Sequence, residues 1–187
     1  MENSDLLILI ILGTGREGRA SDKAAAFVQK LVAATGANTE LIDVRDSGLT
    51  TTHADWMDDG VFAADWIKTA TAADGFIIVS PEYNDFFPGE LKLFLDQTMK
   101  PYSRKPAGLV GTSSGQWGGT RVVEELRVYT SRLGMVAVQP PAYFPKVQEA
   151  FDEAGAPINP KLAEFTQPMI DEVLWYAKAL KTARTAD

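Results

Sequence analysis

The stretch Leu6-Leu-Ile-Leu-Ile-Ile-Leu12 runs straight into Gly13-Thr-Gly-Arg-Glu-Gly-Arg-Ala-Ser21. Seven consecutive apolar residues, rich in Ile and Leu, read as a strand covered on both faces, the pattern of a parallel sheet between helices. Beyond the glycine-rich turn, Ala24, Phe27, Val28, Leu31 and Val32 recur at i, i+3, i+4, i+7 and i+8, one stripe of a helix. Ser21 or Asp22 is expected to cap its start and Gly36 to end it. Strand, glycine turn and helix together open an α/β fold.

The unit recurs along the chain. Short apolar runs at 41–44, 76–79, 108–111 and 135–138 read as four further strands. Helical patterns alternate with them. Residues 61–72 carry Phe62, Trp66 and Ala70 on one side. Pro88 at an N1-like position opens a helix with Leu91, Phe94 and Leu95. Residues 119–133 align Val122, Leu126, Tyr129 and Leu133. The last pattern, about 160–182, aligns Leu162, Phe165, Met169, Val173, Tyr176 and Leu180, with Asn159-Pro160 as cap and N1; Pro168 either kinks it or marks its start. Five strands alternating with five helices predict a doubly wound α/β sheet in a single domain, residues 1–187. Right-handed crossovers follow, and ligands bind beyond the carboxyl ends of such strands. Residues 139–158 hold four prolines but also Tyr143, Phe144, Val147 and Phe151, and are read as an ordered excursion.

Composition excludes much chemistry. Of 187 residues, 25 are acidic and 18 basic, a net charge of −7. Nucleic-acid binding needs a basic face, so it is not expected. With no cysteine, disulfides, cysteine-ligated metals, iron–sulfur clusters and a thiol nucleophile are out. The one histidine, His53, rules out a two-histidine metal site, and its polar surroundings (Thr50, Thr51, Thr52, Asp55) read as an exposed loop. No metal site is expected. The longest apolar run is far too short for a membrane span, and the first residues lack the positive start of a signal peptide, so a cytoplasmic protein is expected.

The first loop admits three chemical readings. Gly13, Gly15 and Gly18 match G-x-G-x-x-G, with Asp43 ending the second strand, as in a dinucleotide-binding Rossmann domain using Asp43 on the ribose. The spacing Gly13-x4-Gly18 also approaches a P-loop, but Arg19 and Ala20 replace the lysine and hydroxyl that hold phosphate and magnesium. Third, Thr14 and Ser21 offer hydroxyls, Arg16 and Arg19 offer forked cationic donors, and the helix start offers free N–H groups, a cradle for a phosphate dianion. The bland alternative is a glycine-rich turn with solvated arginines.

Two later loops narrow the choice. After the third strand comes Pro81-Glu82-Tyr83-Asn84-Asp85-Phe86-Phe87-Pro88-Gly89-Glu90-Leu91-Lys92; after the fourth, Ser113-Ser114-Gly115-Gln116-Trp117-Gly118-Gly119-Thr120-Arg121. With the first loop these match G-[ST]-x-R, P-E-Y-N…P-G-x-L-K and S-x-G-x-x-G-G-x-R, in that order. The chain resembles the NADPH-dependent FMN reductase family of flavodoxin-like proteins, which includes quinone, azo-dye and chromate reductases. The resemblance implies a flavodoxin-like three-layer α/β sandwich with a five-stranded parallel sheet in the order 2-1-3-4-5.

It also implies a site. Thr14, Arg16, Arg19 and Ser21 would hold the FMN phosphate; Pro81, Glu82, Tyr83 and Asn84 would line the cofactor; Ser113, Ser114, Gly115, Gln116 and Gly118 would meet the pyrimidine edge of the flavin. NADPH or NADH would deliver hydride to the flavin N5, and a quinone, azo compound, metal oxyanion or free flavin would then take it from the same face, by a ping-pong mechanism. No catalytic side chain is expected, because the cofactor carries the hydride. A flavodoxin-type electron carrier and a Rossmann NAD-dependent dehydrogenase are the alternatives. Phe86, Phe87 and Trp117 could roof the acceptor pocket or make dimer contacts. A homodimer or homotetramer is expected, from the family and from apolar residues on a second helix face: Leu93 beside Leu91 and Leu95, and Val123 and Val128 beside the core stripe.

Overall fold

The computed structural model describes residues 1–52 and 63–186. His53, Asp55 and Phe62 lie outside the described residues, as does the expected start of the second helix. Strands β1 (Leu7–Leu12), β2 (Asn38–Asp43), β3 (Gly75–Pro81), β4 (Pro106–Thr112), β5 (Val136–Ala137) and β6 (Ala142–Phe144) alternate with helices α1 (Ser21–Ala34), α2 (Ala64–Ala72), α3 (Gly89–Leu95), α4 (Thr120–Arg132) and α5 (Lys161–Ala186). Every pairing is parallel, in the order β2-β1-β3-β4-β5. That is the flavodoxin-like order and not the 3-2-1-4-5 of a dinucleotide-binding Rossmann sheet. The Rossmann reading of the glycine loop is therefore corrected by topology.

Alternation along each central strand divides the core into two layers. Ile8, Ile10 and Leu12 of β1 join Ile77 and Val79 of β3 against α1 and α5, through Ala24, Phe27, Val28, Met169 and Val173. Leu9 and Ile11 join Phe76 and Ile78 on the opposite face, against Trp66, Leu91, Phe94, Val122 and Leu126. There the Trp66 indole N–H donates to the Tyr102 hydroxyl at 2.8 Å, and that hydroxyl donates to the Leu95 carbonyl at 3.0 Å. A buried polar tip is thereby satisfied inside an apolar layer.

Several elements differ locally from the sequence reading. The α1 N-cap is Ala20, with no side-chain cap. Ser21 is the first helical residue, and its hydroxyl caps nothing. Pro88 takes the N-cap of α3 and not N1. On α5 the core line runs through Thr166, fully buried and donating to the Leu162 carbonyl at 2.7 Å, while Phe165 is 62% exposed. A hydroxyl that bonds its own helix can enter an apolar layer, and here it displaces the aromatic neighbour from the stripe. Pro168 lies inside a helix that begins at Lys161. On α4, Val123 belongs to the core and only Val128 remains outward.

The fifth strand position is split. β5 pairs with the first residues of β4 and β6 with its last ones, Val110 with Ala142 through Thr112 with Phe144. The excursion is ordered as expected: Phe144, Val147 and Phe151 enter the core beside Phe27.

At the opposite end of the sheet, the Lys105 ammonium donates to the Ala70 and Thr71 carbonyls at the end of α2, at 2.7 and 2.9 Å. Burial, reinforced by the positive charge of Arg184, pushes its pKa down to about 8, against the pull of Asp74. Between that value and the ordinary one near 10.5, the unfolded chain holds the proton more tightly. Stability therefore rises with pH through this window, by at most about 1.4 kcal/mol per unit from this group. Chemical denaturation of wild type and Lys105→Met from pH 7.5 to 10.5 should show that rise in the wild type and a flatter profile in the variant. Parallel profiles would mean that the ammonium is not desolvated.

Candidate functional site

β1, β3 and β4 all end at one edge, and their following loops meet there. β1 gives way to the glycine loop, whose shape is set by contacts far away in sequence. The Thr14 hydroxyl donates to Glu90 Oε1 at 2.8 Å, and the Gly15 N–H donates to the same oxygen at 3.0 Å. Arg45 closes the loop from outside, donating from Nε to the Gly15 carbonyl at 3.0 Å and from Nη2 to the Arg16 carbonyl at 2.7 Å. Arg19 lays its fork on the Asp43 carboxylate and reaches the Thr14 carbonyl. The Asp43 hydrogen bond is the main cause that holds the guanidinium above its ordinary pKa. Burial alone would raise the Asp43 carboxyl, but Arg19 and the Arg45 N–H hold it below the usual range. Asp43 is thus committed to the loop and is not presented to a ribose.

After β3, Tyr83 and Phe86 exchange both backbone hydrogen bonds around Asn84 and Asp85, which have φ of 51° and 69°. Asn and Asp tolerate that left-handed pair better than most residues. The turn leads Phe87 into the core, stacked on Tyr129 at 5.1 Å, and leaves Phe86 46% exposed. The Tyr129 hydroxyl donates to Asp96 at 2.6 Å, and burial holds the phenol protonated.

After β4, the chain turns through Gly119 at φ 83° into α4. Glu82 reaches across to cap that helix, accepting from the Arg121 and Val122 N–H groups at 3.1 and 3.3 Å. A carboxylate suits the positive end of a helix. The excursion clasps the same loop: Lys146 N–H donates to the Gly115 carbonyl at 2.9 Å and Val147 N–H to the Ser113 carbonyl at 3.0 Å.

These segments enclose a cleft. The first loop contributes Arg16, Arg19, Ala20 and Ser21; the second Pro81, Glu82 and Tyr83; the third Thr112, Ser113 and Ser114; the excursion Val147 and Gln148. The other expected site residues stand back from it. Thr14 is fully buried behind the loop, Asn84 sits at its turn, and Gly115 and Gln116 are exposed. Gly118 packs against Tyr143 and Phe144. Thr112, Val147 and Gln148 are additional lining that no motif marked. Thr112 adjoins a marked serine, Val147 signalled only an ordered excursion, and Gln148 carried no signal.

Two of the lining hydroxyls, Ser21 Oγ and Thr112 Oγ1, are buried without a hydrogen-bond partner among the described residues. Buried polar atoms are rarely left so, and a ligand is one way to satisfy them. Beside them stands Arg16, exposed, its guanidinium 5.4 Å from the centre of the Tyr83 ring. A cation, a helix-start hydroxyl and a strand-end hydroxyl on one cleft fit a ligand with an anionic end and a polar, flat remainder, as a flavin mononucleotide has.

Comparison with known proteins agrees. The family model described as NADPH-dependent FMN reductase matches residues 6–149. A 2-hydroxy-1,4-benzoquinone reductase from a Burkholderia species is 28% identical over 174 residues, covering 89% of this chain and 93% of that protein. An NAD(P)H-dependent FMN reductase of Pseudomonas aeruginosa is 28% identical over 186 residues, covering 96% and 99%. Among solved structures, the flavoenzyme NAD(P)H:(acceptor) oxidoreductase FerB from Paracoccus denitrificans superposes with a TM-score of 0.80 at 23% identity, covering 93% of this chain and 98% of that one. That likeness carries the fold. Among the described residues, no helix is long and apolar enough to cross a membrane.

Proposed function

The chain belongs to the NADPH-dependent FMN reductase family, and from that premise we propose that it is a cytoplasmic oxidoreductase of a single domain, holding one FMN in the cleft and passing reducing equivalents from NAD(P)H to a small acceptor. The observation that carries this reading is the convergence of Arg16 with the two unpartnered hydroxyls of Ser21 and Thr112 on one cleft at the strand ends. Bound FMN supplies the hydride chemistry. The protein binds and orients. Arg16 and Ser21 would take the phosphate, with the α1 start behind them. Pro81 and Tyr83 would line the cofactor, and Thr112, Ser113 and Ser114 would meet the polar edge of its ring. Val147 and Gln148 would flank the cofactor from the excursion.

Glu82 serves as a helix cap, which agrees with a mechanism that asks no side chain to move a proton. NAD(P)H and the acceptor would use the cleft in turn, which gives ping-pong kinetics. Quinones are the first acceptors to try, given the relatives' named activities; azo compounds, metal oxyanions and free flavin are the wider class. Trp117 and Val128, each 71% exposed, support assembly into a homodimer or homotetramer.

The test is anaerobic. NAD(P)H alone should bleach the bound flavin by two electrons, and a quinone should restore it, with parallel initial-rate lines when both substrates are varied. Reduction that required a partner protein would make the chain an electron carrier. An FMN-supplemented sample without flavin absorption would end the reading.

A further inference from the structure

We propose that Glu90 is a positioning residue for the cofactor site: its carboxylate stands in for an anion toward the first two donors of the glycine loop, and so fixes the loop's shape and its hydroxyl directions in advance. This rests on the FMN reading of the cleft. Glu90 occupies the one open position of P-G-x-L-K, so the motif does not ask for a carboxylate there. It lies in the first turn of α3, outside the cleft, and acts only through the loop.

A threonine hydroxyl has one proton to give. Thr14 gives it to Glu90 Oε1 at 2.8 Å, and the Gly15 N–H goes to the same oxygen. Thr14 Oγ1 can then only accept, and it does so from the Arg16 N–H and the Tyr83 hydroxyl, both at 3.3 Å. Tyr83 in turn carries the Arg16 guanidinium over its ring. One carboxylate thus sets the direction of a chain that ends at two residues facing the cleft.

Glu90 stays ionised to do this. Burial would raise its pKa, but its own N–H, the Gly15 N–H and the Thr14 hydroxyl together hold it below the ordinary range. The same hydrogen bonds reassign Thr14. The sequence reading places it on the phosphate, yet its proton is already spent, and it supports Arg16 and Tyr83 from behind. Phosphate recognition then falls to Arg16 and Ser21. Holding donors in their bound arrangement beforehand raises affinity without adding a contact.

The experiment compares FMN and riboflavin binding to the flavin-stripped full chain by fluorescence titration, in wild type, Glu90→Ala and Glu90→Gln. Wild type should prefer FMN. Glu90→Ala should raise the Kd for FMN about tenfold and leave riboflavin within about twofold, about 1.4 kcal/mol of lost preference. Glu90→Gln should fall between, because its carbonyl accepts both donors, though neutral hydrogen bonds are roughly half as strong. An unchanged preference in Glu90→Ala, or equal weakening of both flavins, would overturn the proposal. Should Glu90→Ala fail to fold, Glu90→Gln decides: a preference for FMN equal to wild type overturns it, and a reduced one supports it. Wild type that binds neither flavin would instead refute the FMN reading itself.

Discussion

Replacing Arg16 with alanine is expected to weaken FMN binding roughly 10- to 150-fold while riboflavin binding barely changes. Two arginines lie in the glycine loop, and the structure separates their tasks. Arg19 is bound by its fork to Asp43 and holds the loop together. Arg16 lines the cleft, and no ion pair holds it among the described residues. It is therefore the cation available to a phosphate. A hydrogen bond to a charged group contributes about 1.5–3 kcal/mol, and the loss of one, at about 1.4 kcal/mol per tenfold, gives that range. Riboflavin lacks the phosphate and serves as the internal control. Because Arg16 is exposed, added salt should weaken FMN more than riboflavin in the wild type, and this difference should shrink in the variant. Equal loss of both flavins would place Arg16 under the ring or in the fold instead.

Gly111→Ala is expected to cost about 3 kcal/mol or more of stability, the upper range for overpacking. Gly111 lies in β4 between Ser80 of β3 and Tyr143 of β6. A Cβ there would stand 2.5 Å from the Gly119 carbonyl oxygen and 2.7 Å from that of Gly118. Both are backbone atoms at the turn into α4, so no side chain can swing aside. The loss should appear as a lowered melting temperature together with reduced flavin content, since the third cleft loop must move. Gly115→Ala is the control: its Cβ would meet nothing closer than 4.0 Å, and stability should hold within about 0.5 kcal/mol. A Gly111→Ala protein that melts with the wild type would mean that the turn yields easily.

What could be read from sequence was what is local. The uninterrupted apolar runs of β1, β3 and β4 announced strands buried on both faces, and the glycine loop announced the strand-to-helix turn. The excursion at 139–158 was legible as ordered because its aromatic residues have no place in a solvated loop. What escaped were contacts that cross the chain. Glu90 meets Gly15 from 75 residues away, and Arg45 and Asp43 tie the loop from 29 and 24. No spacing rule predicts which carboxylate a loop arginine will meet. That is why Arg19 and Arg16 looked alike. Helical periodicity likewise placed Phe165 in the core, where the backbone-bonded Thr166 stands. The short β5 escaped because residues 135–138 are apolar enough for a full strand, while only two of them pair.

The split fifth position bears on how this protein behaves at high concentration. A sheet edge presents unpaired N–H and C=O groups that can recruit another chain. At this border the template consists of two strand residues, then Val138-Gln139-Pro140-Pro141, then three strand residues followed by Pro145. Proline lacks the N–H a neighbouring strand would need. No continuous row of donors and acceptors is on offer, so the border that shapes one wall of the cleft is also a poor seed for strand-to-strand aggregation.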